Sequence, residues 1–310
     1  MTRIWTIAFL IGALLLPVFQ MTSAAKSGGL RVVATFSILG DLVRNVGGDN
    51  IELRTLVGPD GDVHTFEPTP ADSVALANAS LLFENGLEFE PWLDKLFVSS
   101  GSKATRVVVT NGLERLITME TNRTDAHAHQ HGEIDPHVWQ DPINTIHMVQ
   151  AIRDTLAQAD PANARTYRAN AEPYTAELRR LDAWIIDQVQ TVPQERRRLV
   201  TSHATFAYFA RRYGFEVVGT VQASFSTEAA DPSGTKLAML VENIKAAKVP
   251  AIFAENVRSP KLLERVAAAA GVQLAPPLYT DALGKAGSQG DTYLKMMRYN
   301  VLTIVQALKR

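Results

Sequence analysis

No cysteine occurs anywhere in this 310-residue chain. That excludes disulfides, thiolate metal sites, cysteine nucleophiles and a lipid anchored through a cysteine. A metal held here must take imidazole nitrogen, carboxylate oxygen or water. An excess of charge of either sign is also missing. Lys and Arg number 31 against 32 Asp and Glu, a formal net charge of −1. Nucleic acids and anionic membranes want a basic surface, so no nucleic-acid partner is expected. Long apolar runs are absent with one exception, Ile4 to Leu16. Arg3 precedes that run and the small residues Ser23-Ala-Ala25 follow it. It is shorter than the roughly 20 residues of a membrane-spanning helix. Residues 1–25 therefore read as a cleaved signal peptide, which places the mature chain in the periplasm.

What remains is a chain with 46% hydrophobic residues, enough for the cores of two domains. β-branched runs at Leu30–Phe36, Ile51–Val57, Leu81–Glu84 and Arg106–Val109 alternate with helical patterns at Ser37–Gly47, Ala71–Ala79 and Pro91–Val98. Ser37 is placed to cap the first helix. Thr118–Glu133 has no apolar period and reads as a mobile loop, with His127, His129 and His131 in it. Asp141 and Pro142 then open a helix. Pro161 starts the longest one, which keeps an apolar stripe from Tyr167 to Val189. Through Gln190 it spans about 45 Å at 1.5 Å per residue, with a bend expected at Pro173. The alternation then resumes. Strands are expected at Leu199–Thr201, Glu216–Val221, Ala251–Ala254 and Val272–Leu274. Helices are expected at Ala204–Tyr213, Gly234–Ala247, Pro260–Ala270 and Thr292–Leu308. The fold class is α/β: two Rossmann-like lobes, each a parallel sheet with flanking helices, joined by one long helix. The N-terminal lobe is expected over 26–160, the linking helix over 161–190 and the C-terminal lobe over 191–310.

Four potential ligands share one position in this pattern. His64, His137, His203 and Asp281 each lie in a loop that follows a strand, two in each half. Open α/β sheets bind ligands in the crevice beyond the carboxyl ends of their strands. Two such lobes side by side bring these loops to one cleft. Three imidazoles and one carboxylate suit a first-row divalent metal in a roughly tetrahedral shell. No sequence-local signature such as His-Glu-x-x-His accompanies them.

The local motifs are more specific. The loop Gly58–Pro70, with His64-Thr-Phe-Glu-Pro-Thr-Pro, resembles the first-ligand loop of the cluster A-I solute-binding proteins, the zinc and manganese receptors of ABC transporters. Asp135-Pro-His137-Val-Trp resembles the second-ligand motif. Ser202-His203-Ala-Thr-Phe-Ala-Tyr-Phe with Tyr213-Gly214 resembles the third, and Leu278-Tyr-Thr-Asp281-Ala-Leu-Gly the fourth. The resemblance runs from about Leu30 to the end of the chain. It implies two lobes around a single long helix, a metal between them, and a membrane ABC permease as partner. The chain departs from the family in three places. Val63 stands where many members have proline. Asp231-Pro-Ser233 stands where many have Glu-Pro-Ser. A long histidine-rich insertion is reduced to His127, His129 and His131.

The expected activity is capture of Zn2+ and its delivery to the permease by a monomeric receptor that is not an enzyme. Manganese members often carry glutamate at the third ligand, so His203 favours zinc. Mn2+ or iron(II) is the alternative cargo. A secreted zinc hydrolase would need an open coordination position and a base, and neither has a motif here. An adhesin is a further alternative, disfavoured by the lack of a lipid anchor. Among the remaining polar residues, Glu67 offers an acceptor for His64 or serves its own turn. Glu228 and Glu255 read as structural, and His147, on the helix after Asp141, is not expected to be a ligand. The loop from Pro276-Pro277 to Gly284 reads as a stiff unit whose swing would carry Asp281 off the metal first.

Overall fold

The computed structural model describes residues 29–119, 133–222, 225 and 232–309. The first half holds β1 (Leu30–Phe36), α1 (Ser37–Gly47), β2 (Ile51–Val57), α2 (Pro70–Ala77), β3 (Leu81–Glu84), α3 (Leu93–Ser100) and β4 (Thr105–Val108). A two-residue hairpin base, β5 (Thr118–Met119) with β6 (Glu133–Ile134), leads to α4 (Pro142–Ala159). Then comes α5 (Ala164–Gln190). The second half holds β7 (Arg198–Thr201), α6 (Ala207–Tyr213), β8 (Glu216–Thr220), α7 (Gly234–Ala246), β9 (Ala251–Glu255), α8 (Lys261–Ala270), β10 (Gln273–Leu278) and α9 (Tyr293–Leu308).

Both four-stranded sheets are parallel, ordered β2-β1-β3-β4 and β10-β9-β7-β8. In each, the chain winds outward from the middle and then reverses. The reversal lies between β1 and β3 in the first sheet and between β7 and β9 in the second. Loops leaving neighbouring strands there diverge and open a crevice.

Strand residues divide by parity, as a pleat requires. Val32, Ala34 and Phe36 face a large core that also takes residues of α1, α4, α5, α6 and α9. Val33, Leu56 and Leu82 face the opposite way, under α2 and α3. In the second sheet Ala251 and Phe253 join the large core, while Ile252 and Ala254 pack under α7 and α8. The inner faces of the two lobes thus share one continuous core. Its axis is α5, which buries Tyr167, Ala171, Tyr174, Leu178, Leu181, Ile185 and Val189. At 27 residues it is about 40 Å long, and it stays helical through Pro173. Pro161–Asn163 is a separate 3-10 turn rather than its first turn.

Helix ends follow their sequence signals in most places. Thr69 and Asp72 form a reciprocal capping box ahead of α2, and Asp141 accepts from Ile143 N–H at 2.8 Å ahead of α4. Gly271 ends α8 with φ 70°. Four differences from the sequence reading have physical causes. Ser37 does not cap α1; its hydroxyl accepts the N–H of Leu283 from the other lobe at 2.9 Å. Helix α6 starts three residues late. Thr201 Oγ1 donates to the His203 carbonyl and His203 N–H donates to Glu255, which holds this turn out of the helix. Strand β10 continues through Pro276-Pro277, which an edge strand tolerates. The segment after Ile117 begins and ends in the β5–β6 pair, Thr118 opposite Ile134. His127, His129 and His131 lie outside the described residues. No helix among the described residues is long and apolar enough to cross a membrane.

Candidate metal centre

The crevice gathers His64, His137, His203 and Asp281, whose ligand atoms lie within 4.8 Å of one another. All four residues are buried, His64 at 3% exposure and the others at 0%.

His64 follows β2. Its loop is held by the Val63 carbonyl, which accepts the indole N–H of Trp92 at 2.8 Å, and by Asp62, which accepts the His64 N–H at 3.0 Å. The position that many family members fill with proline is therefore pinned from outside the loop. The His64 ring stands edge-on to Phe89, 4.9 Å between centroids. Glu67 lies on the exposed side of the loop and makes no hydrogen bond to the imidazole.

His137 sits where the Asp-Pro-His turn precedes α4. Asp135 Oδ1 accepts both the His137 N–H at 2.9 Å and Nδ1 at 2.7 Å. One carboxylate oxygen thus fixes backbone and ring together. It holds the proton on Nδ1 and turns the Nε2 lone pair into the cleft.

His203 follows β7 and is oriented in the same way by a residue 52 positions on. Glu255, at the carboxyl end of β9, accepts the His203 N–H at 3.0 Å through Oε1 and Nδ1 at 2.5 Å through Oε2. Thr280 Oγ1 donates to the same Oε2 at 3.3 Å. The neighbouring strands β7 and β9 bring the two residues together at the reversal point of the second sheet. Glu255 therefore touches a cleft imidazole, a role its sequence context did not disclose. The signal available was its place at the end of a fully buried strand.

Asp281 closes the fourth side. Its oxygens stand 3.1 Å from His203 Nε2, 3.5 Å from His137 Nε2 and 3.6 Å from His64 Nε2. Its loop does not stand free. The Thr280 carbonyl accepts from Trp139 Nε1 at 2.9 Å and Gln140 Nε2 at 3.3 Å, both on the first lobe. The Leu283 carbonyl accepts the Asp60 N–H at 2.8 Å. Asn300 brackets Tyr279 through both N–H and carbonyl. With these ties and the bond to Ser37, the loop bridges the lobes, and the stiff swinging unit expected between Pro276 and Gly284 is not what the chain builds.

The charges are arranged to be compensated. Burial works against the carboxylate of Asp281, but His203 and His137 beside it outweigh burial and hold it well below the usual carboxylate range. Burial likewise disfavours a charged His203, yet Glu255 and Asp281 overcome it and hold its pKa well above the usual imidazole value. His64 Nε2 and Asp281 Oδ2 are nevertheless buried with no hydrogen-bond partner. Buried polar atoms left in that condition are costly, and a cation between them removes the cost. The donor set fits a divalent metal. Phe36, Phe89 and Trp139 pack in mutual contact behind the His64 and His137 rings.

His147 is remote from this cluster, its Nε2 bonded to the Asn111 carbonyl at 2.8 Å. Glu228 lies outside the described residues.

Comparison with known proteins agrees with this architecture. The model of the family described as zinc-uptake complex component A, periplasmic, matches residues 32–307. The manganese-binding lipoprotein MntA of Halalkalibacterium halodurans is 36% identical over 93% of this chain and 92% of its own. The zinc-binding protein TroA of Treponema pallidum is 34% identical over 94% and 93%. The iron-binding protein YfeA of Yersinia pestis is 31% identical over 89% and 85%. Among solved structures, that of the periplasmic zinc-binding protein TroA from Treponema pallidum superposes with a TM-score of 0.81 at 32% identity. It covers 91% of this chain and 100% of the other. A manganese-bound periplasmic metal-binding protein from Candidatus Liberibacter asiaticus gives 0.77 at 27% identity, over 89% and 98%. These relatives are transport receptors rather than enzymes. The chain belongs to the zinc-uptake component A family, the metal-binding receptors of ABC transporters.

Proposed function

We propose that this receptor captures zinc outside the cytoplasm through His64, His137, His203 and Asp281 and delivers it to its permease. The observation that carries the reading is the spacing of the donors. A tetrahedral zinc with bonds of about 2.05 Å has ligand atoms about 3.3 Å apart. Four of the spacings in the cleft, counting both oxygens of Asp281, are 3.1, 3.3, 3.5 and 3.6 Å, and the four ligand atoms all lie within 4.8 Å of one another. Three imidazoles and one carboxylate form a nitrogen-rich set, which ranks zinc above manganese and iron(II). Four protein donors leave no place for a reactive water, in keeping with a carrier.

The manganese reading rests on relatives 36% and 30% identical that are named for manganese and on the manganese-bound structure at 27% identity. Metal analysis separates the two. The purified chain, stripped with chelator and dialysed against equimolar Zn2+ and Mn2+, is expected to retain one zinc and almost no manganese. Retention of manganese in that competition would contradict the proposal.

Residues 1–25 act as a signal peptide, and the mature chain works in the periplasm as a monomer, with lobes over 26–160 and 191–310 about the helix 161–190. The named relatives include lipoproteins. With no cysteine, this chain has no thiol to carry such a lipid.

A further inference from the structure

We propose that Asn256 is the positioning residue of the Asp281 ligand and, with Asp60, forms a catch that ties the Asp281 and His64 loops across the mouth of the cleft. The inference rests on Asp281 holding the metal. Asn256 follows Glu255 at the carboxyl end of β9, and its N–H donates to the Leu278 carbonyl at 2.9 Å. Its side chain then reaches both neighbours of Asp281. Oδ1 accepts the Thr280 N–H at 3.2 Å, and Nδ2 donates to the Ala282 carbonyl at 3.3 Å. A carboxamide carries an acceptor and a donor side by side on one planar end. Turned over, it would set a donor against an N–H and an oxygen against a carbonyl, so these partners admit one orientation. The backbone is thus held on each side of Asp281, and Oδ2 of its carboxylate is left without a hydrogen-bond partner in the cleft.

Nδ2 also donates to Asp60 Oδ1 of the first lobe at 3.0 Å. Asp60 lies in the turn Gly58-Pro-Asp-Gly61 that leads to His64, and its φ is 57°. Left-handed backbone is uncommon outside glycine, and Asp is among the residues that tolerate it. The Asp60 N–H donates to the Leu283 carbonyl at 2.8 Å. Backbone and side chain of this turn residue are therefore both engaged by the other lobe. Asp60 is exposed and Asn256 half-buried, so their bond lies at the mouth of the cleft. Such a bond contributes modestly to stability, because water competes for both groups. The His64 and Asp281 loops cannot part while it stands, so its main effect falls on the rate of release.

The test is release of zinc from the loaded full chain into excess chelator, followed by stopped flow. Asn256→Ala should release zinc about tenfold faster, as expected when a group supporting a metal ligand is removed. Asn256→Asp keeps the size but sets oxygen against the Ala282 carbonyl and the Asp60 carboxylate, so it should be at least as fast. A general loosening of the fold would also speed release, and the Asp281→Ala background separates the two causes. There no carboxylate remains to be positioned, and Asn256→Ala should add no further speed. The same acceleration in both backgrounds would overturn the positioning role. Asp60→Ala changes an exposed residue and should speed release about threefold. Asp60→Asn keeps an acceptor and suits the turn, so it should rescue that loss. Release at the parent's rate from both Asn256→Ala and Asp60→Ala, with Asp281→Ala faster, would overturn the inference while leaving the metal site intact. If Asp281→Ala itself releases zinc at the parent's rate, the metal assignment fails first, and this inference with it.

Discussion

His137 and His203 face the cleft in the same way but are held there by opposite means. In the first lobe, Asp135 lies two residues before His137 and grips its backbone and ring with one oxygen. In the second, Glu255 reaches His203 from another strand, 52 residues away, with two oxygens. The first device is nearly complete in a tripeptide, Asp-Pro-His. The second exists only once the sheet has formed and β7 lies beside β9. The same ring orientation can thus be encoded locally or supplied by topology, and the two should fail differently.

The largest expected effect is loss of a ligand on the topological side. His203→Ala removes a donor and leaves Glu255 and Asp281 buried without their shared partner. Zinc affinity should fall on the order of a thousandfold, about a quarter of the binding free energy of a four-ligand site. The metal-free protein should also melt lower than the His137→Ala variant, because buried carboxylates lose more when the shared cation goes. Titration against a competing chelator and a thermal melt read the two effects. Equal melting of the two variants would remove the asymmetry.

Acidification comes next. His203 holds a proton well above the usual imidazole range in the metal-free chain, since Glu255 and Asp281 outweigh its burial. Zinc must displace that proton from Nε2. Affinity should therefore rise with pH, about tenfold per unit while His203 is protonated in the metal-free form, and level off above its pKa. Zinc should therefore bind more weakly at pH 6 than at pH 8. A flat chelator-competition profile over that range would contradict it.

The two supporting carboxylates should show the smallest effects. Asp135→Asn and Glu255→Gln keep each side chain's shape but remove its charge. Each is expected to weaken zinc about 10- to 100-fold. Glu255→Gln should also flatten the pH profile, by lowering the proton affinity of His203, and Asp135→Asn should leave the profile's shape alone. Parental affinity in both variants would show that the carboxylates only fill space.

This contrast also explains what can be read in the sequence. The four cleft residues are legible because each lies in a loop after a strand within a local motif, and the structure brings them within 4.8 Å. Parallel sheets are legible from the alternation of β-branched runs and helical stripes. Contacts that cross the chain are not. Ser37 carries every mark of a helix cap, but its hydroxyl is taken by Leu283, 246 residues away. Tyr293, at the start of the last helix, donates to the Trp139 carbonyl at 2.7 Å and takes the Thr145 hydroxyl at 2.9 Å. That ties α9 to the first lobe's ligand turn. Pro276-Pro277 reads as a loop because proline cannot donate to a ladder, yet at a sheet edge no donor is needed. In each case the deciding partner is remote, and local propensity holds no record of it.

X-ray absorption at the zinc edge of the loaded protein tests the central claim most directly. The account predicts four light donors at about 2.0–2.1 Å, with the scattering of three imidazoles, and one imidazole fewer in His64→Ala. A five- or six-coordinate zinc, an oxygen-dominated shell, or an unchanged imidazole count in His64→Ala would contradict it.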